Sequence, residues 1–136
     1  MKELQLFFNN KRILNGQLVD LSTVQTQPTI KYDRDPNKLY TILMVDPDAP
    51  SRSNPLYKYV LHWLIINNND TIEDFHPPNP PTGSGPHRYF ISVYEQTGPI
   101  KLPKNSEKRK NFDIPHFINK HDLIFKAVTM FRTERK

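Results

Sequence analysis

The sequence has no cysteine among its 136 residues. That excludes disulfide cross-links, thiolate nucleophiles and metal sites built on cysteine. Glycine is scarce, at four residues against 13 prolines. Proline fixes φ and lacks an amide donor, so a chain this rich in it disfavours long helices and central sheet positions, and long ordered loops are expected. No apolar run approaches a membrane span, and Met1-Lys2-Glu3-Leu4-Gln5 has no apolar signal-peptide core. A cytoplasmic location is therefore expected. The length suits one domain over residues 1–136.

What charge there is sits unevenly. The net charge is +5. Lys101, Lys104, Lys108, Arg109 and Lys110 face Glu107 alone, so residues 101–110 carry five minus one, or +4. Such a stretch suits phosphate-bearing partners or peripheral contact with an anionic membrane surface. These five cations are the candidate partner contacts. No nucleic-acid-binding module accompanies them, and nucleic acid is not expected as a partner.

The chain otherwise reads as mainly β. Leu4–Phe8, Lys11–Leu14 and Thr29–Tyr32 look like short strands, with Asn15-Gly16 the stronger hairpin signal. Residues 39–45 form a buried apolar run. The run Tyr59–Ile66 places Tyr59, Leu61, Trp63 and Ile65 on one face by strict alternation, and His62 on the other. In His87–Tyr94, His87 and Tyr89 share a face. Asp113 is placed to cap a short helix with Pro115 in its first turn, and Leu123–Phe131 reads as a last strand.

The run 39–45 ends in Asp46-Pro47-Asp48-Ala49-Pro50-Ser51-Arg52. Each proline biases the residue before it toward extended backbone, so this is a stiff turn presenting Asp46 at a strand end. Rigid strand ends are where scaffolds place functional groups. The long irregular stretch Glu73–Pro86 reads the same way. If the three clear strands are neighbours, Asp46, His62, His87 and Tyr89 converge. Two imidazoles and a phenol offer N–H and O–H donors, and a carboxylate fixes a tautomer and raises an imidazole pKa. That chemistry suits an oxyanion such as phosphate. Enzymatic chemistry is not expected, because no nucleophile is identifiable. Gly83-Ser84-Gly85 has the wrong spacing and context for a nucleophile elbow. No metal or cofactor is expected.

These stretches resemble the signatures of the phosphatidylethanolamine-binding protein family, which includes the Raf kinase inhibitor protein. The first is the complete D-P-D-A-P-S-R turn at Asp46–Arg52, followed at matching spacing by Tyr57 and His62. The second is Pro80-Pro81, Gly83 and Gly85-Pro86-His87-Arg88-Tyr89, with Tyr94-Glu95-Gln96 closing the strand. The resemblance covers roughly residues 4–132 and is strongest over 39–96. It implies a β-sandwich with a central, largely antiparallel sheet and one short helix near 113–120. It also implies an anion pocket lined by Asp46, Pro50, Tyr57, His62, Pro80, His87 and Tyr89, for phosphate or phospholipid head groups. A cis Ala49–Pro50 bond is implied as well. By the same resemblance the protein is a non-enzymatic binding or regulatory module, modulating a kinase or other signalling partner, or alternatively inhibiting a serine protease through surface loops. Two departures stand out. Asn79 replaces a glycine before the paired prolines, and so joins the candidate ligand contacts. The carboxy-terminal helix that covers the pocket in animal members is expected to be missing. A compact form with a more open site follows from that expectation.

Overall fold

The computed structural model describes residues 4–136, so the leader reading at Met1–Gln5 and the start of the expected domain lie partly outside the described residues. Nine strands and one short α-helix follow in order: β1 (Leu4–Phe8), β2 (Lys11–Ile13), β3 (Gln17–Leu18), β4 (Thr29–Tyr32), β5 (Tyr40–Asp46), β6 (Val60–Ile66), β7 (Asp70–Glu73), β8 (His87–Glu95), α1 (Ile114–Lys120) and β9 (Ile124–Thr133). They form a three-stranded sheet in the order β2-β1-β4 and a six-stranded sheet in the order β3-β9-β8-β5-β6-β7. The pairings are antiparallel except β3 with β9. No described helix is long and apolar enough to cross a membrane.

Turn chemistry explains the connections, with one change from expectation. The two-residue hairpin lies at Asn9-Asn10, not at Asn15-Gly16. Both asparagines have positive φ, 51° and 67°, which suits the right-handed twist of the strands they join. Gly16, at φ 84°, instead passes the chain from the small sheet to the large one. Its amide donates to the Met130 carbonyl at 2.6 Å, and β3 then runs parallel to the end of β9. At the helix, the Asp113 carboxylate accepts from the His116 amide at 3.0 Å, and Pro115 sits in the first turn. The expected helix near 113–120 is thus present.

The large sheet is buried on both faces along its central strands β5 and β6. One face packs Ile42, Met44, Trp63, Ile91 and Phe131 against Leu6 and Phe8 of the small sheet. Phe8 meets Phe131 edge-on at 5.5 Å, and both are fully buried, each stabilising the fold by about 2–3 kcal/mol through burial. The other face packs Leu43, Val45, Leu61 and Leu64 under the segment bearing Ile100, Phe112 and Phe117.

Strict alternation fails in β6. Met44 pairs with Trp63, but the next residue, Val45, pairs with Leu61, so His62 is an extra residue in the ladder. A bulge of this kind turns the strand and re-aims a side chain. Leu61 therefore joins one core and Trp63 the other, rather than sharing a face as expected. The His62 ring turns inward with Trp63, onto the side where Tyr89 lies. Without the bulge, His62 would face the wrong core.

Candidate functional site

Antiparallel pairing places the end of β5 beside the beginning of β8, since Val45 pairs with Phe90. Asp46 and His87 are thus brought together from 41 positions apart, and His87 Nδ1 lies 2.8 Å from Asp46 Oδ2. On the other side of β5, the bulge of β6 brings in His62. Its ring meets that of Tyr89 edge-on at 5.2 Å. The Tyr89 ring stacks on those of His87, at 6.4 Å, and Phe131, at 5.3 Å. The four predicted residues therefore converge on one face of the sheet.

Hydrogen-bond accounting sets the state of each ring. His87 Nδ1 faces a carboxylate and must donate. His87 Nε2 lies 3.0 Å from Ser84 Oγ. Ser84 has a single hydroxyl proton, which it gives to the Pro81 carbonyl at 2.8 Å. With that proton on the Pro81 carbonyl, the contact with His87 is N–H···O and the ring carries a proton on each nitrogen. That arrangement pairs an imidazolium with Asp46, whose Oδ2 lies 2.8 Å away. Burial opposes that charge, but the hydrogen bond to Asp46 and its negative charge outweigh it, with Asp48 and the Pro50 carbonyl assisting, so the pKa lies above the ordinary histidine value.

His62 is in the opposite state. Burial holds its pKa below the ordinary value, despite the His76 carbonyl and the Asp46 charge. Its Nδ1 lies 2.6 Å from the His76 carbonyl, and the His76 amide donates back to the His62 carbonyl at 2.8 Å. The neutral ring thus carries its proton on Nδ1 and presents Nε2 as a lone pair. Burial, then the charge of Asp46 and a hydrogen bond to it, push the Tyr89 phenol far above its ordinary pKa, so it stays protonated. The cluster thus gathers one imidazole of raised pKa, one of lowered pKa and a protonated phenol, with the Tyr89 ring 5.2 Å from that of His62 and 6.4 Å from that of His87.

The turn after β5 is stapled from the opposite side. Asp48 accepts from the Arg88 backbone amide at 2.8 Å, and from its Nε at 2.9 Å and Nη2 at 2.8 Å. Burial alone would raise the Asp48 pKa; the Arg88 contacts reverse that and hold it low. The Asp48 amide donates to Asp46 Oδ1 at 2.6 Å. Ala49–Pro50 is cis, as expected, and Lys58–Tyr59 is a second cis bond that nothing in the sequence signals.

The remaining expected contacts are distributed around this cluster. The Tyr57 amide donates to the Ala49 carbonyl at 2.9 Å, and its ring lies under Lys110 Nζ at 4.4 Å. Pro80 is buried, and its carbonyl accepts from Arg135 Nε at 3.2 Å. Asn79 is exposed, with its amide oxygen turned to Arg135 Nη2 at 2.8 Å and not to the cluster. The basic stretch is partly committed to the fold. Lys104 pairs with Asp74 at 2.8 Å. Arg109 donates to the carbonyls of Leu61 and Asp74 at 3.0 and 2.7 Å. Lys101 and Lys108 are exposed.

Openness differs from expectation. His87 and Tyr89 are 1% exposed, Asp46 3% and His62 8%. The cluster is closed over by the loop carrying Ser84, and Ser84, His76 and Arg135 are contributors that the strand pattern does not reveal. Ser84 stands between two glycines of positive φ, Gly83 at 74° and Gly85 at 82°, which is the one local sign that its loop is specially shaped. Among the described residues, no group of three or more His, Cys, Asp or Glu is placed to hold a metal ion.

A family model described as phosphatidylethanolamine-binding protein matches residues 7–131. A mimivirus protein, the phosphatidylethanolamine-binding protein homolog R644 of Acanthamoeba polyphaga mimivirus, is 42% identical over 140 residues, covering 98% of both chains. A Drosophila melanogaster protein named as a candidate odorant-binding protein, A5, is 33% identical over 128 residues. That alignment takes in 85% of this chain but 61% of the fly protein, so this chain spans less than two thirds of that relative. Among solved structures, the phosphatidylethanolamine-binding protein of Plasmodium vivax superposes with a TM-score of 0.78 at 21% identity, over 98% of this chain and 86% of its own. A carboxypeptidase Y inhibitor, solved in complex with its cognate proteinase, gives 0.78 at 20% identity, over 98% and 83%. At such identities the superpositions bear on fold, and the fold they share is the mainly β arrangement described above.

Proposed function

The chain belongs to the phosphatidylethanolamine-binding protein family, and from that premise we propose that it is a non-enzymatic binding protein whose Asp46–His62–His87–Tyr89 cluster takes a phosphate or phosphoethanolamine-type group. One observation carries this reading: His87 is bonded to Asp46 at one ring nitrogen and to the Ser84 hydroxyl at the other, while its neighbour His62 is held at Nδ1 by the His76 carbonyl. The His87 charge is offset by Asp46, so the free cluster is close to neutral. An arriving oxyanion brings uncompensated negative charge and favours protonation of His62. Binding therefore takes up a proton, and affinity rises as pH falls from 8 to 6. With no lysine or arginine in the cluster, the affinity belongs in the range of about 1 mM to 1 μM, or roughly −4 to −8 kcal/mol.

The test is a titration with inorganic phosphate, followed through the ring nitrogen resonances of His62 and His87. Both should shift at millimolar ligand, with the His62 resonance moving toward its protonated value. If both rings are unmoved at pH 6 with saturating phosphate, the reading is wrong.

A second reading is inhibition of a proteinase or restraint of a kinase through surface loops. It is favoured by the structural likeness to a carboxypeptidase Y inhibitor and by the exposure of Lys101 and Lys108. Inhibition of a serine carboxypeptidase in an activity assay tests the proteinase form. Inhibition that survives charge reversal at both lysines would remove them from it.

A further inference from the structure

We propose that Ser84 is a built-in stand-in for the ligand: its hydroxyl occupies the His87 nitrogen that an oxyanion must reach, and binding requires the loop to turn it away. This rests on the phosphate reading of the same cluster and specifies what controls access to it.

Three observations support it. The first is saturation. His87 has two N–H groups, and in the free protein both are taken, one by Asp46 at 2.8 Å and one by Ser84 at 3.0 Å. A ligand oxygen can accept from His87 only by replacing one of them. Asp46 is buried and further held by the Asp48 amide. Ser84 is held at its hydroxyl by a loop carbonyl three residues away. Ser84 is therefore the group that yields.

The second is burial. His87 and Tyr89 are almost inaccessible, while Ser84 is half-buried at the surface above them. The third is the loop itself. Gly83 and Gly85 flank Ser84 with positive φ, and no atom outside their immediate chain neighbours lies within 4 Å of where a Cβ would stand at either. The segment therefore has open space around it. One side is tethered: Arg135 holds the Pro80 carbonyl and the Asn79 amide, and the Gly83 amide donates to the Arg135 carbonyl at 3.0 Å. The Ser84 amide is held as well, by the Pro81 carbonyl at 3.1 Å, so the piece left to move is short: the Ser84 side chain with Gly85 and Pro86.

The exchange also sets the ligand class. Ser84 offers His87 a neutral oxygen, whereas a phosphoryl oxygen offers a charged one, and charge-assisted hydrogen bonds are the stronger. A neutral hydroxyl ligand would gain nothing over Ser84. The loop thus discriminates for anions without any cation of its own.

The experiment measures dissociation constants for inorganic phosphate and, separately, for phosphoethanolamine, in the wild-type protein and in Ser84→Ala and Ser84→Thr. Removing the internal competitor should tighten binding about three- to tenfold, the weight of one hydrogen bond. Ser84→Thr keeps a hydroxyl and should behave like wild type. The Ser84 amide resonance should move with His87 during the wild-type titration. Tighter binding in Ser84→Ala for phosphoethanolamine alone would assign the loop to head groups, and for both ligands to the shared phosphoryl group. Equal or weaker binding in Ser84→Ala, with the His87 shift intact, would overturn the role of Ser84 and leave the anion site standing. No binding of either ligand by any of the three proteins would overturn the site itself.

Discussion

Replacing Arg88 with methionine should expose the cost of a stranded carboxylate. Asp48 is buried, with 2% of its side chain exposed, and three of its hydrogen bonds come from Arg88. Arg88→Met keeps the aliphatic stem and the backbone amide but removes the guanidinium. Breaking a buried ion pair from one side typically costs about 3–5 kcal/mol. The Arg88 side chain is 29% exposed, so water reaches the gap, which favours the lower part of that range. There is also a ceiling. The carboxyl can escape by taking a proton, and from a reference pKa of 3.8 that costs about 4 kcal/mol at pH 7. A loss of about 3–4 kcal/mol at pH 7 is expected. At pH 4.5 the same escape costs only about 1 kcal/mol, so the deficit should shrink to near that value. Urea unfolding, followed by the single tryptophan, Trp63, gives both numbers. Asp48→Asn combined with Arg88→Met removes the buried charge and should recover much of the loss at pH 7. A deficit under 1 kcal/mol at pH 7, or one that does not change with pH, would refute the assignment of this pair as the staple of the turn.

Two further outcomes follow from the geometry. The raised pKa of His87 means that its pairing with Asp46 adds stability fully below about pH 6.5, the ordinary histidine value, and that this contribution fades as pH rises through the folded value. His87→Gln should therefore cost more in a urea melt at pH 6 than at pH 9, and a cost that grows with pH would contradict the imidazolium. Asp113→Ala removes the carboxylate that caps α1 and should lower stability by about 1 kcal/mol, read from the shift in urea midpoint; an unchanged midpoint would mean that the helix is held by Phe117 packing alone.

Much of this arrangement was legible in the chain, for identifiable reasons. The apolar run at 39–45 marks β5, because a strand covered on both faces tolerates few polar residues, and the alternation at 87–94 marks β8, whose side chains are buried in turn. The two proline-bearing signatures then fix which strand ends carry chemistry. The side of the sheet that His62 takes was not legible. The run Tyr59–Ile66 is apolar throughout, so nothing in its pattern distinguishes a bulged strand from a regular one. Asn15-Gly16 differs from expectation for a related reason: Gly16 supplies the positive φ, but only the pairing partner decides whether the turn closes a hairpin or crosses between sheets. Ser84 and Arg135 stayed hidden because their partners lie in loop backbone, which has no periodicity to read. The basic stretch shows the converse, since a run of like charge in sequence is dispersed in space by Asp74 and the Leu61 carbonyl.

The relation between Asp46 and Asp48 explains why the site needs so stiff a turn. Residues two apart on a continuing strand would project from the same face. Here the two carboxylates reach successive residues of β8, whose side chains point to opposite faces: Asp46 holds His87, and Asp48 holds Arg88. The chain can achieve that only by leaving the strand at Asp46, and Pro47 and Pro50 restrict the backbone that does so. The turn thus grips the start of β8 from both sides, with the Asp48 amide returning to Asp46 to close the grip. Its outer half, the Asp48–Arg88 pair, positions the inner half. A defect there should accordingly weaken phosphate binding through disorder of His87 and not through its charge. In Arg88→Lys, which keeps the charge but cannot reproduce the two-pronged contact, the His87 pKa should stay raised while its ring resonances broaden. A His87 pKa that falls to the ordinary value in Arg88→Lys would show instead that Arg88 acts on the site electrostatically, and that the turn is not a mechanical clamp.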